Sequence, residues 1–180
     1  MGASSTWVAL LHHPVYDKTG KVVTTAITNL DVHDIARSAR TYGLAGYFLV
    51  TPIDAQRALA ERILGAWTAH EGKRHEALAR VKVVASLADA VAALGNPYVV
   101  ATAARARREP TSFQVVRTKL ESSDSPALVL FGTGWGMTDE VLASADALLP
   151  PIRSANGGDF NHLSVRSAAA IVLDRLYGER

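Results

Sequence analysis

Asn161-His162-Leu163-Ser164-Val165-Arg166-Ser167-Ala168-Ala169-Ala170-Ile171-Val172-Leu173-Asp174-Arg175-Leu176 decides the fold of this chain. Polar residues crowd its start and an apolar helical pattern follows at once, so the stretch predicts a helix over 162–177. Free backbone N–H groups at such a start, joined by the side chains of Asn161, His162 and Ser164, can hold a polar ligand against the carboxyl edge of a sheet. Capping of the helix by Asn161 or Ser164 is the plainer use of the same residues. The segment before it, Leu149-Pro150-Pro151-Ile152 through Arg153-Ser154-Ala155-Asn156-Gly157-Gly158-Asp159-Phe160, is built for a compact loop. Two prolines fix the chain as it leaves a strand, and two glycines admit φ values that other residues resist.

Outward from this point, short apolar runs alternate with helical patterns. Trp7–Leu11, Tyr47–Val50, Val81–Val84, Tyr98–Ala101 and Ala127–Phe131 read as strands, most of them apolar enough to be covered on both faces, with 147–149 as a shorter one. Helical patterns lie between them at about 31–42, 54–70, 86–94 and 138–144. Gly20, Gly72-Lys73, Asn96-Pro97, 122–126 and Pro150-Pro151 punctuate the loops. This rhythm predicts an α/β fold, a mostly parallel sheet between helix layers, in a single domain over 1–180. Ligands of such sheets lie at the carboxyl ends of the strands, here after Ala101, Phe131 and Leu149.

The 180 residues are 48% hydrophobic, enough for one substantial core. Lys and Arg number 19 against 17 Asp and Glu, a net charge of +2, so any affinity for nucleic acid must come from a local basic patch. With no cysteine there is no disulfide, thiolate metal site or cysteine nucleophile. The six histidines include no pair at ligand spacing on one predicted helix, and His12-His13 point to opposite sides if the strand runs through them, so no metal is expected. The first residues lack the pattern of a signal peptide and no run reaches membrane-spanning length, so a soluble cytoplasmic protein is expected.

Phe131-Gly132-Thr133-Gly134-Trp135-Gly136-Met137 follows a strand and precedes a helix, where glycines let backbone approach a ligand. It is no dinucleotide fingerprint, because Met137 stands where the third glycine would fall, and no Gly-Lys-Ser/Thr follows to make a P-loop. Together with Ala101-Thr102-Ala103-Ala104-Arg105 and the 149–168 segment, it resembles the cofactor-binding end of the SPOUT family of RNA methyltransferases. That resemblance implies a C-terminal trefoil knot, an exception to the rule of unthreaded chains, with S-adenosylmethionine (AdoMet) bent within it. By the same likeness Thr102, Ala103, Phe131, Gly132, Gly134, Gly136, Ile152, Asn161, Leu163 and Ser164 would contact AdoMet. The resemblance also implies a homodimer whose site is completed by both subunits.

Thr28 to Gly43 resembles the first motif of the ribose 2′-O-methylating branch, with Arg37 at the catalytic arginine position. Asp31 stands where that branch has Asn, and Thr133-Gly134-Trp135 replaces its Glu. The pattern looks most like a small bacterial subfamily, some of whose relatives are joined to the tRNA guanine-N1 methyltransferase. Independently of the likeness, Val32, Ile35, Ala36 and Ala39 form a buried stripe at helical spacing, leaving His33, Arg37 and Arg40 on one flank that can meet phosphate. For ribose methylation on tRNA or rRNA, Arg37 would stabilise the developing alkoxide, and His33 or water would take the proton. For the alternative, methylation of a base such as guanine N1, Asp159 is the first candidate acceptor and Asp31 the second. A non-catalytic RNA-binding scaffold is a further alternative. Arg105, Arg107 and Arg108, followed by Arg117 and Lys119, read as an RNA-backbone clamp or a solvated loop, and Arg40 as an RNA contact or a solvated surface charge. Trp67, at helical spacing from Ile63 and Leu64, reads as packing, and Trp135 as a wall of the cofactor loop.

Overall fold

A computed structural model gives the fold and describes residues 2–68, 72–105, 108–158 and 160–179. After a 3-10 turn at Gly2–Ser5 the chain enters β1 (Thr6–Leu11), then a small hairpin, β2 (Val15–Tyr16) and β3 (Val22–Val23), and α1 (Asn29–Thr41). There follow β4 (Gly46–Val50), α2 (Asp54–Thr68), α3 (Lys73–Leu78), β5 (Val81–Val84), α4 (Leu87–Leu94) and β6 (Tyr98–Ala101). The last part is α5 (Phe113–Ser122), β7 (Ala127–Gly132), α6 (Asp139–Ser144), β8 (Ala147–Leu148) and α7 (Val165–Tyr177). The main sheet has the order β5-β4-β1-β7-β6-β8, and every neighbouring pair is parallel.

Period-two alternation assigns each strand residue to one of two cores. Val8, Leu10, Tyr47, Leu49, Val129 and Phe131 pack under α1, α2, α3, α5 and α7. Ala9, Leu11, Phe48, Val50, Leu128 and Leu130 pack under α4 and α6. Coverage of both faces is why the strands read as unbroken apolar runs. The predicted stripe of α1 is buried, and each of Val32 and Ile35 contributes about 1.5–3 kcal/mol by leaving water. Trp67, Ile63 and Leu64 pack at the edge of the same core, as their spacing predicts. No helix among the described residues is long and apolar enough to cross a membrane.

Several predicted boundaries move. Residues 161–164 are not helical: α7 starts at Val165 with Ser164 as its N-cap, whose Oγ accepts from Ser167 N. The cap residue is itself extended and its side chain accepts from an amide of the first turn, whereas Asn161 Oδ1 accepts from Ser154 N at 2.7 Å. Helix α5 escapes the periodic reading because Val115 breaks its apolar stripe, standing 58% exposed while Val116 and Leu120 are buried. Helix α3 is six residues and each hairpin strand only two, too short for periodicity to register. The Gly72-Lys73 turn signal is the entry to α3, with Gly72 as its N-cap.

Beyond β7 the chain passes through α6 to reach β8 on the outer side of β6, then returns across the sheet edge so that α7 packs against α1 and α5. Two contacts anchor the returning helix. Arg117 Nη2 donates to Arg175 O at 2.5 Å, and Tyr177 OH meets Thr6 Oγ1 at 2.7 Å, its phenol pushed up to about 12 by burial.

Candidate functional site

Strands β7, β6 and β8 stand side by side, so the loops after Gly132, Ala101 and Leu148 arrive at one stretch of the carboxyl edge. The sequence reading placed the cofactor residues on these three loops. In the first, Gly134 and Gly136 have φ +59° and +103°, the left-handed region in which a Cβ is strained. The loop is tied to the hairpin: Trp135 N donates to Tyr16 O and Tyr16 N to Gly136 O, both at 2.9 Å. A Cβ on Gly134 would sit 2.9 Å from Tyr16 O, and one on Gly132 2.6 Å from Met137 Cγ. These two glycines are therefore needed by the protein's own packing. Beside Gly136 the space is open. Phe131 is buried in the core, which leaves only its backbone for a ligand, whereas Trp135 is 60% exposed.

In the second loop Thr102 donates both its N–H and its hydroxyl to Leu130 O, and Ala103 packs on the core under α4 and α6. Arg105 is exposed, Arg107 lies outside the described residues, and Arg108 donates from Nη2 to Ala145 O at 2.7 Å. The proposed basic run is thus divided, because Arg108 fastens the loop to the end of α6. In the third loop Ile152 packs against the core under α7, while Leu163 and Phe160 remain exposed. Asp159, the first candidate base, lies outside the described residues.

A shallow hollow between α1 and the start of α7 is lined by Arg37, Ser38, Tyr42, Ser164, Arg166 and Ser167, among others. Arg37 is exposed, and no described residue forms an ion pair with it. Arg166 bridges helices: its Nη1 lies 2.9 Å from Asp31 Oδ1 and its Nε 3.5 Å from Asp34 Oδ2. Asp31 is only 5% exposed and also accepts from Thr28 Oγ1 at 2.6 Å. Asp31 is committed to these contacts, which argues against its use as a proton acceptor. Arg166 was not singled out from the sequence; a long cation in an otherwise small and apolar helix start was the available signal.

The flank expected to unite His33, Arg37 and Arg40 is split. His33 does not line the hollow; its ring sits edge-on to Trp67 at 5.3 Å, and its Nδ1 is buried with no hydrogen-bond partner among the described residues. Burial, then the cation of Arg74, lower its pKa; Asp34 opposes this and Arg37 adds to it. Arg40 pairs with Glu76 of α3 at 3.3 Å. The reason is rotation along the helix: residues three and four apart diverge enough for different neighbours, α7 on one side and α2–α3 on the other, to claim them. Among the described residues no three His, Asp or Glu side chains gather as a metal site.

A family model described as SAM-dependent RNA methyltransferase matches residues 5–178. The tRNA (guanine-N(1)-)-methyltransferase of Nitratidesulfovibrio vulgaris is 44% identical over 96% of this chain and 42% of that protein. The chain spans about two fifths of the length of the first curated relatives it matches. Among solved structures, a probable methylase family protein from Haemophilus influenzae Rd KW20 superposes with a TM-score of 0.68 at 19% identity, over 97% of this chain and 66% of that one. The A. aeolicus TrmH/SpoU tRNA modifying enzyme superposes with a TM-score of 0.61 at 14% identity, over 98% and 76%. At such identities these two structures show the α/β fold alone.

Proposed function

Because the chain belongs to the S-adenosylmethionine-dependent RNA methyltransferases, of SPOUT type, we propose that it methylates tRNA at the edge formed by β7, β6 and β8. The observation that carries this reading is the convergence of three ligand-type loops on adjoining strands beside Arg37, an exposed arginine with no ion-pair partner among the described residues. The loops fit AdoMet chemically, with backbone groups, open space at Gly136 and the exposed apolar side chain of Leu163 available for adenine. Thr102, Ala103, Gly132, Gly134, Gly136, Ile152, Asn161, Leu163 and Ser164, with the backbone of Phe131, would hold it. Bound there, AdoMet supplies an electrophilic methyl group. The passage from β8 to α7 is read as the threaded segment of a trefoil knot.

The chain's own residues then have to place the acceptor and manage its proton. A guanidinium has a pKa above about 12 and does not accept a proton at neutral pH, so Arg37 acts as a cation that grips phosphate and stabilises a developing alkoxide. That role suits a ribose 2′-hydroxyl. The proton goes to water, because His33 is turned to Trp67 outside the hollow that Arg37 lines. Arg105 and Arg40 add phosphate contacts; the Arg40–Glu76 pair is exposed at both ends and worth little, so exchange for phosphate costs little. A second copy of the chain completes the site, setting Arg37 of one subunit beside the AdoMet loops of the other.

A second reading, methylation of guanine N1, is favoured by the name of the 44%-identical relative. Most of that relative lies outside the matched part, and the two carboxylates of α1 beside the hollow, Asp31 and Asp34, are held by Arg166. Incubation with labelled AdoMet and unmodified tRNA, followed by nucleoside mass spectrometry, distinguishes the readings. A 2′-O-methyl nucleoside is expected, a base-methylated one would replace the first reading by the second, and RNA binding without transfer would leave a scaffold.

A further inference from the structure

His12 is fully buried at the carboxyl end of β1, yet the transfer chemistry above makes no use of it. Its Nδ1 lies 2.9 Å from Thr25 Oγ1, which lies 2.5 Å from Thr133 Oγ1. Thr133 Oγ1 in turn lies 3.0 Å from Leu11 O. The direction of this chain is fixed from its far end. A carbonyl oxygen only accepts, so Thr133 spends its single proton on Leu11 O and must accept from Thr25. Thr25 then has no proton left for the imidazole and must accept from His12. His12 therefore carries its proton on Nδ1, and its Nε2 is a buried acceptor with no partner among the described residues. Thr133 opens the glycine loop that Trp135 and Gly136 tie to the hairpin.

We propose that His12, as the neutral Nδ1–H tautomer, is a positioning residue for the AdoMet loop, holding Thr133 through Thr25 so that Gly134 to Gly136 keep their ligand-ready backbone. The proposal rests on the reading of that loop as the AdoMet site. Burial favours the neutral ring, with a pKa of about 4, opposed in part by the charge of Asp31. Between β1 and β7 the relay spans the point where the backbone ladder ends, so side chains continue the pairing that Leu11 and Gly132 close.

Four variants test it: His12→Asn, whose amide N–H can replace Nδ1–H; His12→Gln, whose amide falls nearer Nε2; Thr25→Val, which keeps shape but breaks the relay; and Thr25→Ser, which restores the hydroxyl. The histidine 15N spectrum of the wild-type protein is expected to show a protonated Nδ1 and a bare Nε2, and the opposite tautomer would overturn the proposal. By hydrogen exchange, Thr25→Val and His12→Gln are expected to lose more protection at the Trp135 and Gly136 amides than their fall in melting temperature accounts for. In calorimetry they should bind AdoMet about tenfold more weakly, with Thr25→Ser and His12→Asn close to wild type. Equal exchange and affinity in Thr25→Val and Thr25→Ser would remove the relay. So would losses that merely track the melting temperature across all four variants. Failure of the wild-type protein to bind AdoMet would strike the cofactor reading alone, because the tautomer and the exchange pattern are read without ligand.

Discussion

At the scale of single residues, the site divides into groups that the fold has already committed and groups left over for chemistry. Asp31, Arg40, Arg108 and Thr102 have partners within the chain, while Arg37 has no ion-pair partner among the described residues. Arg37→Ala should therefore leave stability and AdoMet affinity nearly unchanged while lowering single-turnover transfer at least about a hundredfold, the usual loss when one charge-stabilising donor is removed. The glycines separate in the same way. Gly134→Val should drive its side chain against Tyr16 O, shift the amide signals of the hairpin and abolish AdoMet binding. Gly136→Ala meets no atom, so it should cost only about 1–2 kcal/mol of stability for the strained φ, measured by urea unfolding. Sequence alone could mark these glycines as loop formers but not tell them apart, because the atom that excludes a Cβ at Gly134 comes from a hairpin more than a hundred positions earlier.

At the scale of elements, the contact between α1 and α7 depends on the Asp31–Arg166–Asp34 bridge. Arg166→Met should lower stability by about 3 kcal/mol, the lower end of the range for breaking a buried pair, because Asp31 keeps its charge in a buried position while Arg166 itself is partly exposed. Adding Asp31→Asn to that variant should recover part of the loss, since it removes the stranded charge; a double mutant as unstable as the sum of both singles would refute the coupling. Asp31, in place of the Asn of the ribose-methylating branch that residues 28–43 resemble, was visible in the sequence. Its partner was not, since 135 residues separate them and only the return of α7 against α1 brings them together.

At the scale of the whole molecule, buried His12 sets an acid limit. Its folded pKa of about 4 lies below the ordinary value of 6.5, so between these pH values the unfolded chain binds the extra proton. This contribution is complete above pH 6.5 and is lost as pH falls toward 4, on the order of 3 kcal/mol in all, readable as a falling urea midpoint. His12→Asn should flatten that slope. Assembly is testable by mixing: Arg37→Ala and Gly134→Val are each inactive, but if Arg37 acts across a two-fold interface, mixed dimers regain one site and up to about a quarter of wild-type activity. Recovery of none would confine Arg37 to its own subunit.

The alternation of apolar runs and helical patterns determined the parallel sheet, the two covered faces and the three carboxyl-edge loops, because period and burial are properties of local sequence. The family motifs, read on residues 28–43 and 130–168, identified a methyltransferase. Only the tertiary structure decided which polar side chains are free. It turned His33 to Trp67 and Arg40 to Glu76, closed Asp31 with Arg166, and set the hairpin, too short to leave a periodic trace, under the glycine loop. Those outcomes depend on which surfaces meet across long sequence separations, and no window along the chain contains both partners.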